Sequence, residues 1–228
     1  MFKRSHTFFK MKHFLFLFLT IFCCVFVSCK KDIVAPPLPE FPINYLNYSQ
    51  LKVGNYWIYQ RYNINEFGEA QATQVFDSCY VSNDTIINGM TYFRMVRSGS
   101  NFPSIGDYLR DSLHYIVNSS GEIIFSSSDF SSTLSSKYIV AGDVDTIALA
   151  TKKMEDKDLS VVTPAGTFVT SDCRTTYQLF PGWDDLTAER ILHARYAENV
   201  GLVVESSMFF IGSLNSTERR LVRYHVEN

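Results

Sequence analysis

Apolar and polar residues alternate with a period of two along much of the chain after residue 45. Such alternation is typical of β-strands that have one buried face and one exposed face. In the strand predicted at 72–81, Cys79 and Val81 lie on one face, and Phe76 and Tyr80 lie on the other. The pattern therefore predicts a half-buried antiparallel sheet.

Turn signals separate these alternating segments. Asn-Gly and Pro-Ala-Gly sequences lie between apolar flanks, where residues that tolerate a positive φ favour tight hairpins. The predicted hairpins cover 85–93, 113–125 and 161–169, and further strands are predicted at 55–62, around 138–149, at 201–210 and at 219–226. Turns that recur at this spacing indicate an antiparallel meander.

Two segments do not follow this pattern. Leu186 to Ala197 contains strong helix formers, but it also alternates in part. We predict a strand over Arg190–Tyr196, with a helical turn at Asp185–Glu189 as the alternative for the beginning of the segment. The serine-rich segment 126–136 is predicted to be a loop.

The first 28 residues have a different character. Four basic residues and no acidic one precede or flank the apolar run Phe14–Val27, which is shorter than the roughly 20 residues that cross a bilayer. This arrangement is typical of a secretory signal peptide, predicted here over residues 1–28. Translation from either Met1 or Met11 would leave a complete signal.

The signal ends in Phe26-Val27-Ser28-Cys29, which resembles the lipobox of bacterial lipoproteins. The resemblance implies that Cys29 receives a diacylglycerol and an amino-terminal acyl chain such as palmitate after cleavage. Two or more acyl chains give stable attachment, so the expected partner is a membrane. We expect a location at the outer membrane, either on its periplasmic face or at the cell surface. Residues 29–44, which include four prolines, are interpreted as a semi-rigid tether.

Composition limits what the remaining chain can be. Residues 1–28 hold four of the 21 basic residues and none of the 23 acidic ones, so 17 and 23 remain, a formal net charge of −6. A negative balance argues against a nucleic-acid partner. Residues 45–228 are long enough for one β domain.

Two cysteines follow the lipobox cysteine, namely Cys79 and Cys173. An exported protein meets an oxidising compartment, in which a disulfide between them would persist. The alternative, which we favour, is two buried thiols that act as small hydrophobic side chains. Spacing alone does not decide between these possibilities.

No catalytic, metal or cofactor site is predicted. His114, His193 and His225 lack metal-ligand spacing, and no phosphate-binding glycine loop or nucleophile elbow is present. Asp184 and Asp185, or Asp143 and Asp145, offer oxygens to calcium, although turn aspartates usually cap the backbone. Trp57 and Trp183 could stack on a sugar; Trp57 is more simply a core residue.

Several short motifs have a familiar order. The sequence contains Val53-Gly54-Asn55-Tyr56-Trp57, Pro164-Ala165-Gly166-Thr167-Phe168 and Val200-Gly201-Leu202-Val203. This order resembles lipoproteins of the Bacteroidetes type. The resemblance implies an all-β fold with a single strongly curved antiparallel sheet, similar to the half-barrel of periplasmic lipoprotein carriers, with at most a short helix. It implies no activity.

In that lineage, Asp followed by Ser or Thr and an apolar residue is a recognised O-glycosylation sequence. This chain has the sequence at Thr85, Ser112 and Thr146. The alternative is that strand edges have this composition for structural reasons.

The expected function is therefore a non-enzymatic envelope protein that binds a ligand or has a structural role. An aromatic-rich set of strands favours an apolar or amphipathic ligand such as a lipid. The second hypothesis is a cell-surface accessory that binds glycan or a partner protein. A hydrolase with two carboxylates is a third hypothesis, because their separation depends on the fold.

Overall fold

The computed structural model describes residues 45–99, 102–141, 145–208 and 214–227. The predicted signal peptide, Cys29 and the tether lie outside the described residues. Gly142 and Asp143, and the end of the strand predicted at 201–210, lie outside them as well. The structural description below concerns the domain that begins at residue 45.

Thirteen β-strands and their turns make up the described residues, which contain no helix. None of these residues belongs to a helix with the length and apolarity needed to span a membrane. The strands are β1 (Tyr56–Ile64), β2 (Ala70–Ile87), β3 (Met90–Gly99), β4 (Phe102–Ser112), β5 (Tyr115–Asn118), β6 (Ile123–Ser126), β7 (Thr133–Ala141), β8 (Asp145–Met154), β9 (Leu159–Thr163), β10 (Gly166–Leu179), β11 (Glu189–Ala197), β12 (Gly201–Met208) and β13 (Ser216–His225).

All thirteen strands belong to one antiparallel sheet. The order along it is β6-β5-β4-β3-β2-β1-β13-β12-β11-β10-β8-β7, and β9 pairs with β10 beside this path. Most neighbours are consecutive in the chain, as hairpin turns require. The pairing of β1 with β13 joins the first and last strands. The predicted fold class, a single strongly curved antiparallel sheet, is confirmed.

The sheet curves so far that strands near its two ends contact each other. The Ser126 amide at the end of β6 lies 3.4 Å from the Met154 sulfur on β8. The Cys173 thiol of β10 donates to the Ile124 carbonyl oxygen of β6 at 3.2 Å. Phe125, Met154 and Cys173 belong to one buried cluster. These contacts join two ends of the sheet that are far apart in strand order, and they enclose an interior.

Alternate side chains point into that interior. Trp57 and Tyr59 of β1 pack there with Cys79 and Val81 of β2 and with Leu221 of β13. On the opposite face of β2, Phe76 and Tyr80 are exposed. The faces predicted for this strand are therefore confirmed, and Trp57 is a core residue, 2% exposed.

The close approach of β1 to the start of β12 explains why residue 201 is a glycine. Gly201 has a φ of +98°, and a Cβ at this position would lie 3.3 Å from Trp57 Nε1. The Trp57 indole donates to the Val200 carbonyl oxygen at 2.6 Å. Only glycine combines this backbone conformation with space for the indole ring.

The strand predicted at Arg190–Tyr196 is present as β11. It pairs with β10 over its whole length, from Ala197 opposite Thr170 to Glu189 opposite Gln178, and these cross-strand partners override the helix propensity of the residues. The helical turn predicted at 185–189 is wrong, because residues 185–188 form no helix and Glu189 already belongs to β11.

The loop predicted at 126–136 is too long. Thr133 already pairs with Lys153 as the first residue of β7. Only residues 127–132 lie between strands. In that turn the Asp129 carboxylate accepts from the amides of Ser131 and Ser132, which lowers the pKa of Asp129. The serine-rich composition did not indicate that β7 begins at Thr133, because this strand depends on pairing with β8.

Candidate functional site

The candidate residues from the sequence are spread over the domain. Cys79 and Cys173 are buried free thiols in separate clusters. Thr85 is half-buried near the end of β2, Ser112 is half-buried at the end of β4, and Thr146 is exposed near the start of β8. The structure brings none of these five residues into a common site.

The three histidines are separate from each other as well. His114 packs against the rings of Tyr45 and Tyr115, and His225 stacks on Tyr56. His193 Nδ1 lies 2.6 Å from the Asp172 carboxylate, which is fully buried. Within the described ranges, no group of three or more metal-binding side chains is close enough to hold an ion.

Asp184 and Trp183, two of the calcium and sugar candidates, have local contacts in the described residues. Asp184 is exposed and accepts from the Gly182 amide at 3.3 Å, as a turn aspartate does. Trp183 packs beside the buried cluster of Ile147, Ala148 and Leu179.

The space enclosed by the curved sheet contains a cavity of about 260 Å³. We call it the interior cavity. Its walls come from seven strands, β3, β6, β7, β8, β10, β11 and β12. The volume lies slightly below the roughly 300–1,000 Å³ of pockets for drug-sized ligands. The cavity is thus suited to a small molecule or to one end of a longer one.

Charged side chains form one wall of the interior cavity. Glu205 on β12 and Arg219 on β13 lie opposite each other, and Glu205 Oε2 is 2.6 Å from Arg219 Nη2. The same oxygen is 3.4 Å from Arg97 Nη1 on β3. The Arg219 guanidinium also lies over the Tyr59 ring, 4.6 Å from its centroid. One carboxylate therefore contacts two guanidinium groups.

The electrostatics of this wall are dominated by the arginines. Burial by itself would raise the pKa of Glu205, but attraction by Arg219 and Arg97 outweighs it and lowers the pKa. The pKa of Arg97 is raised, first by Glu205. Glu205 and Arg97 are thus both charged at neutral pH.

A second charged group lies on β7 and β8. Lys152 of β8 is 2.9 Å from Glu122 Oε1, and Lys137 of β7 is 3.9 Å from the same oxygen. Burial favours the neutral form of Glu122, but the hydrogen bond and charge of Lys152 lower its pKa. Again one carboxylate is shared by two cations.

Neutral polar groups complete the walls. Tyr196, Tyr177 and Thr175 line the interior cavity together with Cys173. Burial raises the pKa of Cys173 to about 12 and raises that of Tyr196 strongly. Both side chains are therefore neutral at physiological pH, so they can donate hydrogen bonds but are not activated nucleophiles.

Sequence reasoning missed the charged wall, although a signal was present. Arg97 lies two positions after the buried Met95, and Glu205 lies two positions after the buried Val203. Arg219 lies two positions before the buried Leu221. A period of two places each charge on the core face of its strand. Charged residues at core-face positions are exceptions that indicate a special role.

Fold and site together define an all-β protein with a polar cavity inside a single curved sheet. The sequence matches no family model and no curated protein. Two solved structures are similar in outline. One is provisionally described as a lipoprotein of Parabacteroides distasonis ATCC 8503, with 13% identity over 80% of this chain and 100% of that chain, at a TM-score of 0.44.

The other is provisionally described as an exported protein with a YmcC-like fold from Bacteroides fragilis NCTC 9343. It is 12% identical over 79% of this chain and 99% of that chain, at a TM-score of 0.45. Neither likeness bears on the activity of this chain.

Proposed function

We propose that this chain is a non-enzymatic, lipid-anchored envelope protein of the outer membrane that binds a small amphipathic ligand in its interior cavity. The observation that supports the proposal is the interior cavity itself, about 260 Å³ of partly open space where a packed core would be more stable. Its ligand contacts would come from several strands of a rigid sheet, as precise binding requires.

The lining supports an amphipathic ligand rather than a purely apolar one. Leu192, Ala150 and Ile124 provide apolar surface, while Arg97 and Lys152 provide charge. Polar and charged side chains outnumber the apolar ones, so the interior cavity is more polar than the mostly apolar pockets that are typical of small-molecule sites. The aromatic strands that suggested an apolar ligand are used mainly in the core beside the cavity.

The binding part of the proposal is tested by filling the interior cavity. Ala194 of β11 lines it and is half-buried, so Ala194→Phe would occupy space without removing a charge. We expect native mass spectrometry of the protein purified from its own membrane to detect a bound small molecule, and this molecule to be lost in Ala194→Phe. Exposed Ala72, which does not line the cavity, provides the control Ala72→Phe. If no small molecule is detected in the unmodified protein or in the control Ala72→Phe, the binding part of the proposal is contradicted.

The anchoring part rests on Cys29 and is tested separately. Cys29→Ser removes the thiol that would carry the lipid, so the protein should remain uncleaved or leave the membrane fraction. Cys24→Ser, in the apolar run before the predicted cleavage point, should leave processing unchanged. Metabolic labelling with palmitate and membrane fractionation measure both effects. Labelling of the Cys29→Ser protein at the normal level would contradict lipidation at this residue.

A further inference from the structure

The charges around the interior cavity do not balance. Three cationic side chains, Arg97, Lys137 and Lys152, line it with one carboxylate, Glu205. Including Glu122 and Arg219, which contact these groups, and Asp172, which lies 2.6 Å from the lining His193, three carboxylates face four cations and one histidine. The whole chain has a formal net charge of −2, so this cationic interior belongs to an acidic protein. The excess of positive charge is therefore confined to the residues around the interior cavity.

Of the two arginines on the charged wall, Arg97 has the longer contact with the shared carboxylate. Glu205 lies 2.6 Å from Arg219 and 3.4 Å from Arg97. The buried Nε atoms of both arginines have no hydrogen-bond partner within the described structure. At the same time 41% of the Arg97 side-chain surface is accessible, against 11% for Arg219. Because Arg97 lines the interior cavity, this accessible surface can be reached by a ligand.

Stability alone does not explain such a group. Desolvation offsets much of the attraction within a partly buried ion pair, and well-packed hydrophobic replacements are often at least as stable. Guanidinium groups bind carboxylates and phosphates through two parallel N–H donors. A guanidinium group that is accessible from a cavity is thus suited to an oxyanion.

We propose that Arg97 binds the anionic group of the ligand, a carboxylate, sulfonate or phosphate oxyanion, with Lys152 of β8 and Lys137 of β7 adding attraction. The inference rests on the proposed ligand-binding function and specifies the chemical class of the ligand. Glu205 holds Arg97 and Arg219 beside each other and, by its own charge, limits the affinity for the anion. The ligand's apolar part would lie along Leu192 and Ala194.

Two fluorescent probes with the same aromatic body test the inference on the folded domain. The probe 8-anilinonaphthalene-1-sulfonate carries a sulfonate, whereas N-phenyl-1-naphthylamine is uncharged. We expect the anionic probe to bind more tightly to the unmodified protein. Arg97→Gln should weaken the anionic probe about tenfold, equivalent to about 1.4 kcal/mol, and leave the neutral probe unchanged. Arg97→Lys should retain part of the affinity because it keeps the charge.

Glu205→Gln gives the most decisive result, because its expected effect on binding of the anionic probe is opposite to that of Arg97→Gln. Removal of the competing carboxylate should tighten binding of the anionic probe severalfold. If the charged wall were only structural, both Arg97→Gln and Glu205→Gln would weaken binding. Arg223→Gln, at an exposed position on β13, is the matched control for loss of a positive charge and should change little. Circular dichroism and thermal unfolding establish that each variant is folded.

The outcomes separate this inference from the proposed function. If neither probe binds to the unmodified protein, the proposed binding function itself fails. If the neutral probe binds but Arg97→Gln leaves the anionic probe unaffected, only the inference fails. Displacement of the anionic probe by both octanoate and inorganic phosphate would assign a small free anion. Displacement by octanoate alone would assign an amphipathic carboxylate, and displacement by neither would overturn the inference.

Discussion

Two regions of the interior differ in the side chains that fill them. In one, which we call the packed region, Trp57, Tyr59, Val81, Val203 and Leu221 are at most 2% exposed. A space of only about 40 Å³ remains beside them. In the other, charged groups surround the interior cavity of about 260 Å³. Arg97 and Tyr196 line both spaces and form their boundary.

This comparison shows that separate regions of one β domain provide its stability and its proposed binding cavity. Close-packed apolar side chains in the packed region provide the hydrophobic free energy that holds the sheet together. The charged wall contributes less, because desolvation offsets much of the attraction between its ions. A chain that needs an accessible cavity must therefore obtain its stability elsewhere, here mainly along β1, β2 and β13.

The largest expected effect comes from removing a packed side chain and comparing it with a cavity side chain. Leu221→Ala should lower the free energy of unfolding by about 2–5 kcal/mol, because it leaves a void in a rigid core. Leu192→Ala, in the wall of the interior cavity, should cost about 1 kcal/mol, since Leu192 is only half-buried. Urea denaturation measures both. Equal losses would show that the cavity is closed in solution.

A smaller effect is expected at the boundary of the packed region with the turn before β12. Gly201→Ala forces a φ of +98° on a residue with a Cβ and pushes that Cβ towards the Trp57 ring. We expect a loss of about 1–3 kcal/mol and a changed Trp57 emission spectrum. Gly121→Ala has a similar φ of +86° but open space around it, so it measures the backbone strain alone.

The difference between these two variants isolates the contact with Trp57. Thermal unfolding of both, monitored by circular dichroism, gives the comparison. If Gly121→Ala destabilises the protein as much as Gly201→Ala, the approach of the indole ring is not the reason for glycine at 201.

The smallest effect concerns the pH dependence of the charged wall. The folded protein lowers the pKa of Glu205, so the stability from this carboxylate is present above its unfolded value of about 4.3. It is lost as the pH falls through the lower, folded value. The stability advantage of the unmodified protein over Glu205→Gln should therefore be constant near neutrality and shrink below about pH 4.

Urea denaturation between pH 7 and pH 3 measures this advantage. Glu66→Gln, in an exposed turn, is the control for loss of an acidic group. An advantage that stays constant to pH 3 would contradict the pairing of Glu205 with the two arginines.

The local sequence was informative where neighbouring residues decide the structure. Asn88-Gly89 predicted a hairpin, and both residues have a positive φ in the turn between β2 and β3. The hairpin predicted around Gly166 is present between β9 and β10. These turns are encoded locally because few residue types tolerate their backbone conformations.

The sequence was less informative where pairing with another strand decides whether a segment forms a strand and where that strand ends. β4, over Phe102–Ser112, was not predicted, and β10 continues to Leu179, well beyond the end of its hairpin with β9. The first half of β10 pairs with β9 and the second half with β8. No local pattern shows that one strand will change its partner.

By itself the sequence determined the all-β class, the main hairpins, which residues share each face of β2, and the motif at Cys29 on which the proposed anchor depends. These properties follow from periodicity, turn residues and short motifs, all of which are local. Only the tertiary structure decided that Arg97 meets Glu205 and Arg219, which lie more than one hundred residues later in the chain, at one wall of a cavity. Strand order and curvature bring them together, and the pairing of the first strand with the last closes the path between them.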